Sequence, residues 1–172
     1  MLNKIAITYY QSPVGELILG VHNNMLVLCD WNYRAIRKAI DKRVTRFFNA
    51  QYHEEIHPLH TKTIAQLDAY FQKKLKNFDI PLAMAGTDFQ IQVWNQLLKI
   101  PFGSQTTYSR FSELLGNPKA VRAIGTAIGA NAHSIIIPCH RVVGKNNNLV
   151  GYAGGLLAKS KLLTLEGQLS LF

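Results

Sequence analysis

Ile135-Ile136-Ile137-Pro138-Cys139-His140-Arg141-Val142-Val143 decides how the chain reads. Three successive isoleucines are β-branched and suit a buried strand. Pro138 should end that strand, because proline has no N–H for a ladder bond. A thiol, an imidazole and a guanidinium follow, then two apolar residues. A nucleophile at the break of a buried strand is held rigidly and still faces a pocket. Neighbouring basic groups lower a thiol pKa, and the thiolate is the reactive species. A cysteine among apolar residues is more often a structural core residue. The adjacent proline, histidine and arginine turn the balance toward chemistry.

A second block, Gly151-Tyr152-Ala153-Gly154-Gly155, follows closely. The two blocks together resemble the O6-alkylguanine-DNA alkyltransferases, or methylated-DNA–protein-cysteine methyltransferases. The signature of that family is Pro-Cys-His-Arg with Val or Ile on both sides, here Ile137 to Val142. The resemblance covers Gly86 to Gly167 strongly and the first half loosely. It implies an α/β N-terminal domain over residues 1–85, ribonuclease-H-like, with a small sheet plus helices. A mainly α C-terminal domain over 86–172 follows, with a winged-helix-like helix-turn-helix for DNA binding and alkyl transfer.

Working back from the motif, Thr87-Asp88-Phe89-Gln90 is a capping box that starts a helix. Phe89, Val93, Trp94, Leu97 and Leu98 form its apolar side. Thr107 to Leu115 reads as a short helix with Phe111, Leu114 and Leu115 inward. Asn117 is expected to cap the next helix, with Pro118 at its first position. That pair has helix-turn-helix spacing, although many folds contain a plain helix pair. The second helix offers Lys119, Arg122 and one Thr among small residues such as Ala123. It carries almost no base code, so phosphate contacts and shape should dominate binding.

The first half is simpler. Residues 4–10, 15–21 and 25–31 read as strands, and 33–48 and 60–76 as helices. Lys38, Lys42, Arg43 and Arg46 read as a solvated helix surface. Cys29 reads as core. His53, His57 and His60 tempt a metal reading, but no cysteine joins them and Pro58 should break the aligning helix. No metal is expected. Phe78 to Gly86 looks like the boundary between halves.

Composition sets outer bounds. There are 19 Lys plus Arg against 10 Asp plus Glu, which favours a polyanionic partner. The second half holds eight basic residues against three acids, a plausible home for a DNA footprint. Two cysteines are too few for a disulfide framework and fit a reducing cytoplasm. No apolar run is long enough to span a membrane, and residues 1–11 do not read as a signal peptide.

The resemblance also implies roles. Cys139 is the nucleophile and alkyl acceptor. His140 is the base, reached through a bridging water, because neighbours on an extended chain point apart. Glu166, just before Gly167, orients the imidazole; on sequence alone it could equally be a surface charge at a helix end. Tyr108 serves the leaving guanine. Arg122 enters the base stack as the damaged base flips out, with Lys119, Ala123 and Thr107 also at the DNA. Asn131 is the hinge to the recognition helix. Ser134, Tyr152, Ala153 and Gly154 line the pocket. No cofactor is implied, and a monomer on double-stranded DNA carrying O6-alkylguanine is expected. O4-alkylthymine is a second expected substrate.

The chain departs from the family pattern at four places. Ala132 replaces a usual proline, Ser134 stands where some members have another, Leu165 replaces a common histidine and Lys161 a common tryptophan. Three other readings stand beside transfer. A damage-recognition protein would not need Cys139. A transcriptional activator of this family would carry a four-cysteine zinc domain. A cysteine hydrolase would turn over repeatedly.

Overall fold

Two tight turns, each written in its residues, set the first sheet. At Ser12-Pro13-Val14-Gly15 the Ser12 hydroxyl accepts from the Val14 and Gly15 N–H groups at 3.2 and 3.1 Å. Gly15 has φ +149°, and a Cβ there would stand 2.8 Å from the Tyr33 ring, so a side chain would strain the backbone and displace Tyr33. Asn23 and Asn24 both adopt positive φ, the geometry of a two-residue hairpin whose twist matches its strands.

The structure is a computed structural model, and it describes residues 3–168. The chain divides into two compact units, Met1–Gly86 and Thr87–Phe172. In the first, β1 (Asn3–Ser12), β2 (Gly15–His22) and β3 (Met25–Trp31) form an antiparallel meander. Helix α1 (Arg37–Phe47) leads to β4 (Ala50–Glu54), which pairs parallel to β1. The sheet order is β3-β2-β1-β4. Strand β4 was not read from the sequence; Ala50-Gln51-Tyr52-His53-Glu54 buries one residue and carries little apolar pattern. Helix α2 (Pro58–Phe71) packs on β1 and β2. Ile5, Leu17, Leu19, Leu26, Leu28 and Trp31 make the core.

Pro58 starts α2 rather than breaking it. It sits in the first turn, where its missing N–H costs nothing. The His57 ring accepts from Leu59 N–H at 3.0 Å, and His60 reaches back to the His57 N–H at 3.1 Å. Two of the three histidines are thus capping groups, and among the described residues no His, Cys, Asp and Glu cluster could hold a metal. The helix ends at Phe71, not Lys76. Lys73 takes φ +59°, Lys73 N–H bonds Tyr70 O, and Lys74 N–H bonds Ala69 O, a Schellman close with lysine in the glycine position.

The second unit is helical. Helix α3 (Asp88–Leu97) begins with the expected Thr87–Gln90 capping box and buries Val93, Trp94 and Leu97. Phe89 and Leu98 stay largely exposed. Strand β5 (Thr106–Thr107) runs into α4 (Tyr108–Leu114), which buries Phe111 while Leu114 faces out. Helix α5 (Val121–Gly129) packs on α3 and α4. Asn117 does not cap it. Ala120 N–H bonds the Asn117 carbonyl, so Pro118 occupies the second place of a turn, which suits its fixed φ equally well, and the helix starts after Ala120. Strand β6 (Val142–Val143) pairs parallel to β5, and α6 (Leu156–Leu165) follows. Among the described residues no helix is long and apolar enough to cross a membrane.

Candidate active site around Cys139

The isoleucine run is not a strand. Ile135 has φ +71°, Ile136 N–H bonds Ser134 O, and Ile137 N–H bonds His133 O. The side chains are buried as β-branched residues prefer, but the backbone turns tightly. A β-branched residue held in the left-handed region costs about 1–3 kcal/mol and needs surrounding structure to hold it there. Pro138 sits at φ −81°, ψ 61°, and Cys139 N–H bonds Ile137 O at 2.8 Å. That is an inverse γ-turn. Cys139–Arg141 then form one turn of 3₁₀ helix before β6. The Cys139 thiol is thus presented by stacked turns, which aim it more sharply than a strand end would.

Asn131 organises these turns. Its carbonyl oxygen accepts from His133 N–H at 2.9 Å. Its amide donates to Ile137 O at 3.0 Å and to the Cys139 sulfur at 3.3 Å. Asn131 follows the Ala130 cap of α5 directly, so one side chain ties that helix to the thiol. Trp94 fixes the helix from the other side, its indole N–H bonding Ala127 O at 2.8 Å.

The imidazole and carboxylate meet. His140 Nε2 lies 2.8 Å from Glu166 Oε1, both side chains fully buried. Glu166 is the cap residue of α6. Gly167 follows at φ +90° and closes the helix through Gly167 N–H to Thr164 O and Gln168 N–H to Leu163 O. The Glu-Gly pair therefore has a physical cause: glycine supplies the left-handed residue that ends the helix and leaves the carboxylate facing inward. Glu166 is not a surface charge.

Electrostatics assign the protons. Burial alone would raise the Glu166 carboxyl, but the hydrogen bonds and charges of His140 and Arg141 outweigh it and hold its pKa at about 2. Glu166 is then an anion that accepts from Nε2–H. Burial lowers the His140 pKa, against the pull of Glu166 and aided by Arg141 and Lys159, so the ring is neutral. Its Nδ1 keeps a lone pair and has no hydrogen-bond partner among the described residues. It is the basic atom of the site. Burial, then the Cys139 charge, raises the Tyr108 pKa and keeps its hydroxyl a proton donor. Pairing of Thr107 with Val143 brings Tyr108 beside this segment.

The remaining predicted residues divide. The Tyr152 ring stands edge-on to His140, centroids 6.4 Å apart. Ala153 is half-buried and Gly154 buried on the same loop. Ser134 is fully buried. The Thr107 hydroxyl caps α4 by accepting from Arg110 N–H. Arg122 and Ala123 are exposed on α5, with Lys119 exposed on the preceding turn. Ile124, Ala127 and Ile128 face inward, leaving Arg122, Ala123, Thr126 and Gly129 as the outer face.

Two basic residues have partners here that the sequence did not show. Arg141 grips Glu166. Lys159 is fully buried and donates to Val142 O, Val150 O and Gly151 O at 2.6, 2.9 and 3.3 Å. Burial brings its pKa down to about 8, with the Cys139 charge opposing. The charge available for a DNA footprint in this unit is accordingly smaller than the composition suggests: Arg141, Lys159 and Glu166 lie inside. The position of Lys159 eight residues after Gly151, among leucines on α6, was the available signal of burial.

Comparison with known proteins gives the same two halves. The 6-O-methylguanine DNA methyltransferase ribonuclease-like domain matches residues 5–84. The 6-O-methylguanine DNA methyltransferase DNA binding domain matches residues 88–168. The chain is 41% identical over 158 residues to the methylated-DNA–protein-cysteine methyltransferase of Methanosarcina acetivorans, covering 92% of this chain and 96% of that one. It is 40% identical over 158 residues to the Mycobacterium leprae protein of the same name, covering 90% and 88%. The crystal structure of Mycobacterium tuberculosis OGT in complex with DNA superposes with a TM-score of 0.78 at 35% identity, over 95% of this chain and 92% of that one.

Proposed function

The chain belongs to the 6-O-methylguanine DNA methyltransferase family, and from that premise we propose that it repairs DNA by moving the alkyl group of O6-alkylguanine irreversibly onto Cys139. The buried set of Cys139, His140 and Glu166 carries the reading. His140 Nδ1 takes the thiol proton through a water, and Glu166 stabilises the imidazolium that forms. The thiolate attacks the alkyl carbon, the new S–C bond forms, and the C–O6 bond breaks. The electron pair leaves with guanine, which gains a proton from Tyr108. The product thioether has no ready reversal, so each molecule acts once. No cofactor enters.

The target atom lies inside the duplex, so the base must leave the stack. Helix α5 suits that task. Its outer face is small except for Arg122, which fills the space the base vacates. Lys119 and Ala123 approach the backbone beside it, and Thr107 lies at the same edge. Binding is sequence-tolerant and in the minor groove. Tyr152, Ala153, Gly154 and Ser134 wall the pocket, and Asn131 is the hinge. The same displacement extends to O4-alkylthymine. All named groups come from one chain, so a monomer suffices, and two free cysteines suit a reducing cytoplasm.

Intact mass after mixing with a duplex carrying one O6-methylguanine, followed by peptide mapping, tests the reading. One methyl on the Cys139 peptide, with repair stopping at one equivalent and absent in Cys139→Ala, is expected. Tight lesion binding with unchanged mass would make this a damage-recognition protein. Repeated turnover with unmodified protein would point to hydrolysis.

A further inference from the structure

Arg141 holds the same carboxylate that holds His140. Its Nε donates to Glu166 Oε2 and its Nη2 to Glu166 Oε1, each at 2.9 Å. Its Nη1 donates to Ile100 O at 2.5 Å, and the guanidinium lies 5.9 Å from the Phe102 ring centroid. The side chain is therefore fixed on three sides, and it is buried. Oε1 is the shared atom: it also accepts from His140 Nε2 at 2.8 Å. We propose that Arg141 is a positioning residue for alkyl transfer, compensating the Glu166 charge so that the carboxylate orients His140 without holding a second proton on the ring. The inference rests on the transfer reading and deepens it.

A general base has to be neutral before it accepts a proton. A buried carboxylate alone against a buried imidazole favours the imidazolium. Nδ1 would then already be protonated and could not receive the thiol proton. Arginine does not lose its proton in proteins, so its charge is a permanent counterweight. Its bidentate fork also fixes the carboxylate plane. The groups facing the ring are few. Glu166 comes from the end of α6 and Lys159 from its first turns. Arg141 and Cys139 flank it on the 3₁₀ turn, and Tyr152 stands edge-on from the loop. Glu166 favours the charged ring; Arg141 and Lys159 oppose it, and burial opposes it most. Arg141 is the opposing charge that touches the carboxylate itself.

Arg141→Gln and Arg141→Lys test this against the unchanged protein. Two readings are taken: the His140 titration midpoint by imidazole nitrogen NMR, and the single-turnover transfer rate from about pH 6 to about pH 9. Arg141→Gln should raise the midpoint by about one unit, and the acid limb of the rate profile should move up equally. The rate loss then approaches about tenfold only below the original midpoint, is smaller at about pH 6, and vanishes toward the alkaline end. Arg141→Lys keeps a charge without the fork and should shift less. An unmoved midpoint in folded Arg141→Gln, or a loss equal at every pH, overturns the proposal and leaves Arg141 a packing role. Should the Gln variant not fold, the Lys variant decides: an acid-selective loss supports the proposal and a uniform loss overturns it. Absence of transfer in the unchanged protein would sink the transfer reading, while the NMR midpoints still test the link between Arg141 and His140.

Discussion

Each unit buries one carboxylate, and the partners differ. In the first unit Asp30 is fully buried and meets Arg34 at 3.0 Å and Arg37 at 2.9 Å. Arg37 continues to Asp41, which also accepts from the Tyr52 hydroxyl. In the second unit Glu166 meets one arginine and one histidine. Two arginines give a network with no proton to move, and its work is to hold α1 to the end of β3. Replacing the second arginine by an imidazole keeps the anchoring and adds a neutral group able to accept a proton. The same burial thus serves structure in one place and, in the proposed reaction, chemistry in the other.

Exchanging the charge of each carboxylate for an isosteric amide breaks the comparison most sharply. Glu166→Gln should slow single-turnover transfer by about 10²–10⁴-fold, the range for loss of acid–base assistance. A loss under about threefold would mean that His140 needs no anionic partner. Asp30→Asn should cost about 3–5 kcal/mol in denaturant unfolding, because it leaves two arginines facing a neutral group. Its transfer rate at 25 °C should match the unchanged protein; a rate loss as large as that of Glu166→Gln would erase the distinction between the networks.

Acid sharpens it further. Glu166 has its folded pKa depressed from 4.5 to about 2, so its contribution is present above pH 4.5 and is lost as pH falls toward 2. That contribution is on the order of 3 kcal/mol, and Glu166→Gln should remove this part of the acid unfolding curve. The smallest effect belongs to an exposed charge. Arg122→Ala should weaken DNA binding several-fold and almost equally across sequences, reducing the salt slope by about one. A strongly sequence-dependent loss would assign Arg122 a base-reading role.

What the sequence made legible follows the range of the interactions. The Thr87–Gln90 box and the hairpins are local patterns, and they appear where read. The helical stripes do so in part, since Ile40, Val44, Leu67, Val93, Trp94, Leu97 and Phe111 are buried while Ile36, Phe47, Phe89, Leu98 and Leu114 are exposed. The Pro-Cys-His-Arg motif pointed to the segment that brings Cys139, His140 and Glu166 together. The isoleucine run misled, because β-branching reports burial and says nothing of a residue forced to positive φ by Asn131 and the turns around it. Pro58 and Pro118 misled for a related reason: one fixed φ suits a helix start and a turn alike. Arg141 was read as a basic neighbour of Cys139 and Lys159 as part of a DNA footprint, and neither reading gave the carboxylate or carbonyl partners, which lie far along the chain. Arg141 bonds Ile100 and Glu166, 41 and 25 residues away, and no local pattern announces that.

The burial of Cys139 sets how long an idle molecule stays fit for service. Only 6% of the residue is exposed, and Asn131 already occupies the sulfur. Peroxide attacks thiolates in proportion to their exposure. In the proposed reaction the thiol is not recovered after transfer, so a stray oxidation beyond the sulfenic stage is as final as a completed repair. A sulfur with almost no surface is therefore a means of storage: the molecule keeps until a base of the right shape is brought to it.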